Sequence, residues 1–291
     1  MTNVPLLIAG PTASGKSAYA MMRAREMPSV IVNADSMQVY RELRVVTARP
    51  SVEDETLVPH LLYGHVPARE AYSVGRYVSD VAEVLARAQA EGLRPVIVGG
   101  TGLYFLALLD GLSPVPPIPD KVRAHWRAEA ERLGPVELHA VLAARDRMMA
   151  EKLRPSDPQR VTRALEVLEA TGASLAVWQQ TAGTPVLAAD ACEKVVILPE
   201  RQAVFARADQ RFDAMMEGGA LEEVAALGAL GLDPALPSMR ALGVPQLLRL
   251  QRAEMAREAA IAEAKAETRR YIKRQLSWLK RNMISWDSII L

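Results

Sequence analysis

Cysteine is almost missing from this sequence of 291 residues, and Cys192 stands alone. No disulfide can form within the chain and no cysteine-based zinc cluster is possible. Cys192 reads as a small buried hydrophobe. Histidine is also scarce, with four scattered copies, so a dedicated metal site is not expected. No apolar run approaches the roughly 18 to 20 residues of a membrane span. The opening Met1-Thr2-Asn3-Val4-Pro5 lacks the basic start of a secretory signal, which points to the cytoplasm and away from a membrane. An excess of either charge is missing too: 35 basic against 34 acidic residues leave a formal net charge of +1, so the total offers a polyanion no attraction. Internal repeats and low-complexity segments are absent. Half of the residues are apolar, enough for one large domain or a domain carrying an insert.

What the sequence does contain is a phosphate loop. Residues Gly10, Pro11, Thr12, Ala13, Ser14, Gly15, Lys16 and Ser17 spell G-x-x-x-x-G-K-S between the apolar run Val4–Ala9 and a helix-like run from Ala18 to Glu26. The glycines let consecutive N–H groups face an anion, Lys16 adds a point charge, and the following helix starts with its positive end at the same place. Ser17 is positioned to face Mg2+. This cradle holds a diphosphate or triphosphate, but kinases, ATPases, GTPases and some transferases share it, and the loop leaves the fate of the phosphate open.

Strand-like runs at Leu6–Ala9, Val30–Asn33, Val96–Val98 and Val195–Leu198 alternate with helical patterns such as Val78–Glu91 and Ala203–Leu230. The pattern predicts an α/β fold, a P-loop NTPase-like parallel sheet core. The gap of nearly a hundred residues before the fourth strand predicts a helical insertion domain. Proline-rich Gly111–Pro119 opens it and Thr181–Pro185 closes it. The expected division is 1–111 and 186–291 for the core and 112–185 for the insert. Helices are predicted there over Lys121–Leu133, Val136–Ala144, Arg147–Lys152 and Asp157–Thr171, the last with Asp157 as its cap and Gly172 as its stop.

Ligands of open parallel sheets sit at the carboxyl ends of the strands. After the second run comes Asn33-Ala34-Asp35-Ser36-Met37-Gln38, which places Asp35 at the mouth of the crevice that holds the phosphate loop. Asp35 could serve as a Walker-B magnesium ligand. After the third run comes Gly99-Gly100-Thr101-Gly102-Leu103-Tyr104, where glycines permit close backbone approach and the Thr101 hydroxyl can reach a ligand. That run ends without a carboxylate, so an ordinary ATPase looks under-equipped. Near the C-terminus, Thr268–Asn282 carries six basic residues and no acidic one, together with Tyr271 and Trp278. At helical spacing Arg270, Lys273, Arg274, Ser277 and Arg281 share one face, while Ile272, Leu276 and Leu279 share another that packs inward. A basic face of this kind suits an anion, or is simply solvated.

Taken together, these motifs resemble the tRNA dimethylallyltransferase family, also known as tRNA delta-2-isopentenylpyrophosphate transferases. The resemblance rests on the phosphate loop, Asp35-Ser36 with Gln38 and Tyr40, Gly99–Tyr104, Gly111-Leu112-Ser113, Asp157–Glu166, Arg207 and Arg211 before Phe212, and Lys273-Arg274-Gln275 with Trp278. It implies that the loop holds dimethylallyl diphosphate and that the prenyl group passes to N6 of the adenosine 3' to the anticodon, with Mg2+ as cofactor. By the same resemblance Lys16, the loop amides, Mg2+ on Ser17, and Arg207 or Arg211 stabilise the departing diphosphate. Asp35 removes the proton from the attacking nitrogen, and Thr101 hydrogen-bonds near it. The target base leaves its stack to enter the crevice. Asp35, Ser36, Met37, Gln38 and Thr101 contact tRNA there. Arg123, Gln159, Arg160, Val161, Thr162 and Arg163 of the insert, with Lys273 and Arg274, grip the anticodon stem-loop. Arg123 and Arg163 could instead serve only surface ion pairs. A monomer is expected.

Three segments depart from the family pattern: Val46-Thr47-Ala48-Arg49-Pro50 in place of Gly-Thr-Ala-Lys-Pro, His60-Leu61-Leu62-Tyr63 without the usual acid, and Gly243-Val244-Pro245-Gln246 without an aromatic and a basic residue. The alternative reading is a nucleotide kinase-like phosphotransferase, in which the insert is a lid and Arg207 and Arg211 are its arginines.

Overall fold

Leu6, Leu7, Ile8 and Ala9 have no solvent exposure, as expected of a strand covered on both faces. The computed structural model describes residues 3–291; Met1 and Thr2, read above for a signal, lie outside the described residues. In chain order the elements are β1 (Leu6–Ala9), α1 (Lys16–Ala24), β2 (Ser29–Asn33), α2 (Val52–Leu57), β3 (His60–Leu61), α3 (Val74–Ala90), β4 (Arg94–Gly99) and α4 (Gly102–Leu109). There follow α5 (Asp120–Arg145), α6 (Arg147–Lys152), α7 (Pro158–Thr171) and α8 (Leu175–Trp178). The chain returns through β5 (Glu193–Ile197), α9 (Arg201–Glu217), α10 (Ala220–Ala229), α11 (Val244–Gln251), α12 (Arg257–Asn282) and β6 (Asp287–Ile289).

The six strands form one parallel sheet in the order β3-β2-β4-β1-β5-β6. Alternation along each strand divides the core in two. Leu6, Ile8, Ile31, Val96, Val98 and Ile197 pack with Ala20, Met21 and Ala24 of α1 on one face. Leu7, Ala9, Val30, Val32, Ile97 and Val196 point to the other face, toward α3, α4, α10 and α11. Four of the strands coincide with the predicted runs. The edge strands β3 and β6 are two and three residues long, too short to leave a pattern in sequence.

The chain divides into two compact units, one running up to Leu109 and resuming over Val186–Leu291, the other Asp110–Pro185. The second is helical. Its core is Trp126, Leu138, Leu142, Met149, Val161, Ala164 and Leu165. Within α5 the helix breaks at Gly134 (φ 72°), where Pro135 follows, which matches the two separate helices expected there. Asp157 caps α7 by accepting from the Arg160 amide, and Gly172 ends it at φ 69°. Gly111 and Gly183 touch through their backbones where chain enters and leaves the unit, and a Cβ on either would strike the other strand.

The single helix expected over Ala203–Leu230 is two. Gly218-Gly219 separates α9 from α10, with Gly219 at φ 97°, a left-handed conformation that ends one helix and starts the next. Cys192 is only partly buried, its thiol donating to the Ala188 carbonyl at 3.3 Å, so it is not the core hydrophobe expected.

At the end of β4, a Cβ on Gly99 would collide with the Ala34 backbone, which cannot swing aside as a side chain could. Gly99→Ala should therefore cost about 1 to 3 kcal/mol or more in urea unfolding. Gly75→Ala, on open helix surface, should be neutral or slightly stabilising; equal losses for both would remove backbone contact as the cause.

Candidate active site

The phosphate loop leaves β1 and re-enters helix at Lys16. Ala13 (φ 61°) and Gly15 (φ 89°) both adopt left-handed backbone, so amides on either side of the turn point inward. Not every loop residue offers a donor. Pro11 has no N–H, the Gly10 amide donates to the Gly99 carbonyl at 3.2 Å, and the Ser14 amide donates to the Pro11 carbonyl at 3.2 Å. The Thr12 amide donates to Oε1 of Gln275 at 3.0 Å. Those bonds shape the loop, and the amides of Ala13, Gly15, Lys16 and Ser17 find no acceptor among the described residues.

Around this opening the loop residues Ala13 to Ser17 meet Arg207 and Arg211 of α9, lining a cavity of about 290 Å³. Three polar groups wait there unpaired. The Ser14 hydroxyl and the Nε and Nη2 of Arg207 are buried without a partner among the described residues, while Arg207 Nη1 donates to the Leu291 carbonyl at 3.3 Å. Buried donors without acceptors are costly. Lys16 Nζ donates to the Pro11 carbonyl at 3.3 Å. Desolvation lowers its pKa to about 8, with the Asp35 charge opposing and Arg211 adding to the fall. Burial likewise lowers the pKa of Arg211, and Asp35 opposes.

Asp35 follows β2, one strand beyond β4 from the loop. Its backbone is fixed from both sides: the amide donates to Asn33 Oδ1 at 2.8 Å, and Asn33 Nδ2 donates to the Asp35 carbonyl at 2.9 Å. One carboxylate oxygen accepts from the Met37 amide at 2.9 Å, and no partner for the other is found among the described residues. Thr101 is committed to the neighbouring residue. Its hydroxyl oxygen accepts from the Ser36 amide at 3.0 Å and lies 3.3 Å from the Ser36 hydroxyl, and so holds the Asp35-Ser36 turn. Gln38 is turned away, its amide donating to the Thr47 and Ala48 carbonyls at 2.8 and 3.0 Å.

Asp35, Ser36, Met37 and Thr12 form one side of a larger cavity of about 440 Å³. Arg211 belongs to the walls of both cavities and so joins them. The same cavity is lined by residues that motif reading did not assign to the site: Val46, Phe212, Met215 and Leu242 supply apolar surface, and Arg240 and Tyr271 polar groups. Phe212 and Met215 follow Arg211 on α9 and could have been found from its helical spacing. Val46 arrives by a tertiary route, because the Glu223 carboxylate of α10 accepts from the amides of Arg44, Val45 and Val46 at 2.7, 2.7 and 3.0 Å and pins that loop. Burial and the charge of Asp35 both push the Tyr271 phenol pKa up.

The basic helix has the expected inner face, with Thr268, Ile272, Gln275, Leu276 and Leu279 buried. Its outer face is less free than its sequence suggests. Arg269 pairs with Asp209 and Arg270 with Glu267, which leaves Lys273, Arg274, Lys280 and Arg281 without an acidic partner among the described residues. Lys273 lies over Phe205 and Arg274 over Tyr271, at 5.9 and 5.5 Å from the ring centres. In the insert, Gln159 and Arg160 are exposed, and Thr162 and Arg163 partly so. Val161 is completely buried, so its side chain supports that helix and cannot touch a ligand. Arg160 pairs with Asp157 at 3.2 Å, Arg163 with Glu166 at 3.3 Å, and Arg123 donates to the Ile118 carbonyl at 3.2 Å. The Arg160–Asp157 pair is exposed and weak, whereas the Glu166 carboxylate that meets Arg163 is buried.

Two family models match the chain, "Isopentenyl transferase" over residues 4–58 and "IPP transferase" over residues 38–282. A tRNA dimethylallyltransferase of Bradyrhizobium sp. (strain ORS 278) is 53% identical over 98% of this chain and 92% of its own. One from Agrobacterium fabrum is 50% identical over 96% and 93%. Among solved structures, the full-length tRNA isopentenylpyrophosphate transferase of Bacillus halodurans aligns with a TM-score of 0.70 at 28% identity, over 99% of this chain and 90% of that one. A eukaryotic dimethylallyltransferase acting on tRNA aligns with a TM-score of 0.83 at 26% identity, over 99% and 73%. With a family model matching most of its length and relatives at half identity over nearly all of it, this chain belongs to the tRNA dimethylallyltransferase family.

Proposed function

We propose that the protein transfers a dimethylallyl group from dimethylallyl diphosphate to N6 of the adenosine 3' to the anticodon of tRNA, releasing diphosphate. The observation that carries this reading is the arrangement of one crevice. An anion cradle with unpaired buried donors and a carboxylate with a free oxygen are joined through Arg211, and apolar side chains line the cavity that holds the carboxylate. A nucleotide kinase would need a nucleotide in the cradle, and the family relationship does not favour it.

In the reaction the N6 lone pair attacks C1 of the prenyl group, the C1–O bond breaks, and its electrons leave with the diphosphate. Lys16, Arg207, Arg211 and the amides of Gly15 to Ser17 stabilise the charge that develops on the leaving oxygen. Asp35 accepts the proton that N6 loses as bonding makes that nitrogen acidic. Val46, Phe212 and Met215 exclude water from the allylic carbon, which water would otherwise trap.

Among the described residues no cluster of three or more acidic, histidine or cysteine side chains is arranged to hold a metal. Mg2+ takes few protein ligands and fills the rest of its shell from phosphate and water. Ser17, exposed at the end of the loop, would hold it, and bound there it would offset the diphosphate charge. No helix among the described residues is long and apolar enough to cross a membrane. Work in the cytoplasm as a monomer fits this reading.

Asp35→Asn should leave diphosphate affinity intact with and without Mg2+ while slowing single-turnover transfer by about 10² to 10⁴-fold. A parallel fall in Mg2+-dependent affinity would make Asp35 a metal ligand instead.

Because Lys16 titrates near pH 8, it must regain a proton to bind an anion above that pH. Affinity for inorganic diphosphate should weaken by roughly 5- to 10-fold from pH 7 to 9, with proton uptake in calorimetry, and Lys16→Met should abolish that dependence.

On the RNA side, Arg160→Gln with Arg163→Gln should weaken tRNA binding and flatten the log–log salt dependence by about 0.7 to 0.9 for each phosphate that is no longer neutralised. An unchanged slope would assign both arginines to their ion pairs alone.

A further inference from the structure

Gln275 lies on α12 directly after Lys273 and Arg274, but it points inward and is 6% exposed. Its Oε1 accepts from the Thr12 amide at 3.0 Å, and its Nε2 donates to the Gly100 carbonyl at 3.0 Å. Thr12 belongs to the phosphate loop and Gly100 to the turn that carries Thr101. One side chain therefore ties the helix with the basic face to both walls of the crevice. The approach is close throughout: a Cβ on Gly100 would meet Gln275 Nε2, and one on Gly102 would strike the Trp278 ring one turn further along the helix. An amide N–H can only donate and a carbonyl can only accept, so the two partners require a side chain that does both from one planar group.

We propose that Gln275 is a positioning residue of the transfer reaction. Its carboxamide holds the phosphate loop at a fixed spacing from the Thr101 turn, and so sets where the Gly15–Ser17 amides meet the diphosphate relative to Asp35. This rests on the reading of the loop as the diphosphate site.

A protonated carboxyl group offers the same donor and acceptor as the carboxamide, whereas a carboxylate would face the Gly100 carbonyl with a negative oxygen. Gln275→Glu and Gln275→Met are compared with the native protein, at each pH from 5.5 to 8.5, for binding of inorganic diphosphate and for single-turnover transfer to tRNA. Gln275→Met should lose about 10-fold in affinity and about 10²-fold in transfer at every pH, the scale of an ångström of misplacement. Gln275→Glu should match or exceed those losses at pH 8.5 and recover toward the native values at pH 5.5, rising above Gln275→Met. Relief of charge alone would bring it only to the level of Gln275→Met. The proposal is overturned if Gln275→Met stays within twofold of native in both measurements, or if Gln275→Glu rises above it at no pH. A native protein that binds inorganic diphosphate yet fails to prenylate tRNA would overturn the proposed reaction, and the binding series would still decide the role of Gln275.

Discussion

Three strands of one sheet meet at their carboxyl ends with no side chains between their backbones, and the rest of the crevice depends on that approach. The Ala34 amide bonds to the Val98 carbonyl, the Thr101 amide to the Ala34 carbonyl, and the Gly10 amide to the Gly99 carbonyl. Each bond joins the segment after one strand to a neighbour, so the phosphate loop, the Asp35 turn and the Thr101 turn start from linked backbones, and Gln275 adds a side-chain tie further along the loop. Gly99 permits this because its missing Cβ would occupy the Ala34 backbone. The positions of Asp35 and Lys16 therefore derive from a rigid sheet edge, the kind of placement that preorganised charge requires.

Around that edge the molecule separates polar groups that hold structure from polar groups left for a ligand. The Thr12 and Ser14 amides, Asn33, Gln38 and Glu223 are all spent on backbone partners or on Gln275. Ser14 Oγ and two nitrogens of Arg207 are buried and unspent. An unpaired buried donor costs on the order of 1 to 3 kcal/mol, a cost that an anion seated at this opening would relieve. The lowered pKa of Lys16 also comes from burial: its charge is held in a poorly solvated place.

The helices α9 and α12 join this cradle to the basic surface. Lys265 and Arg269 are neutralised by Asp213 and Asp209 across the helix pair. One turn further along, Lys273 meets Phe205 instead of an acid. The ladder thus changes from internal ion pairs to uncommitted charge as it nears the phosphate loop, where Ala13 packs against the same cluster of Val204, Ile272 and Leu276. A chain with almost no net charge can in this way present a local anion-binding surface.

Much of this was legible from local pattern. The G-x-x-x-x-G-K-S spacing, the four buried runs, the Asp157 cap with its Gly172 stop and the residues after each strand depend on neighbours in sequence, and their physics travels with them. Tertiary structure decided what depends on distant partners. Val161 is part of a motif but faces the insert's core because helical geometry turns it inward. Thr101, Gln38 and the Thr12 amide each take a hydrogen-bond partner from another segment of the chain, which spacing in the sequence does not reveal. The apolar wall of Val46, Phe212 and Met215 exists only because Glu223 pins one loop against a helix from elsewhere in the sequence. Sequence alone settled which groups could perform the chemistry, since type and spacing set their donors, acceptors and charges. Which of them remain free to do so was settled by packing, because a hydrogen-bonding group satisfied inside the fold is no longer offered to a substrate.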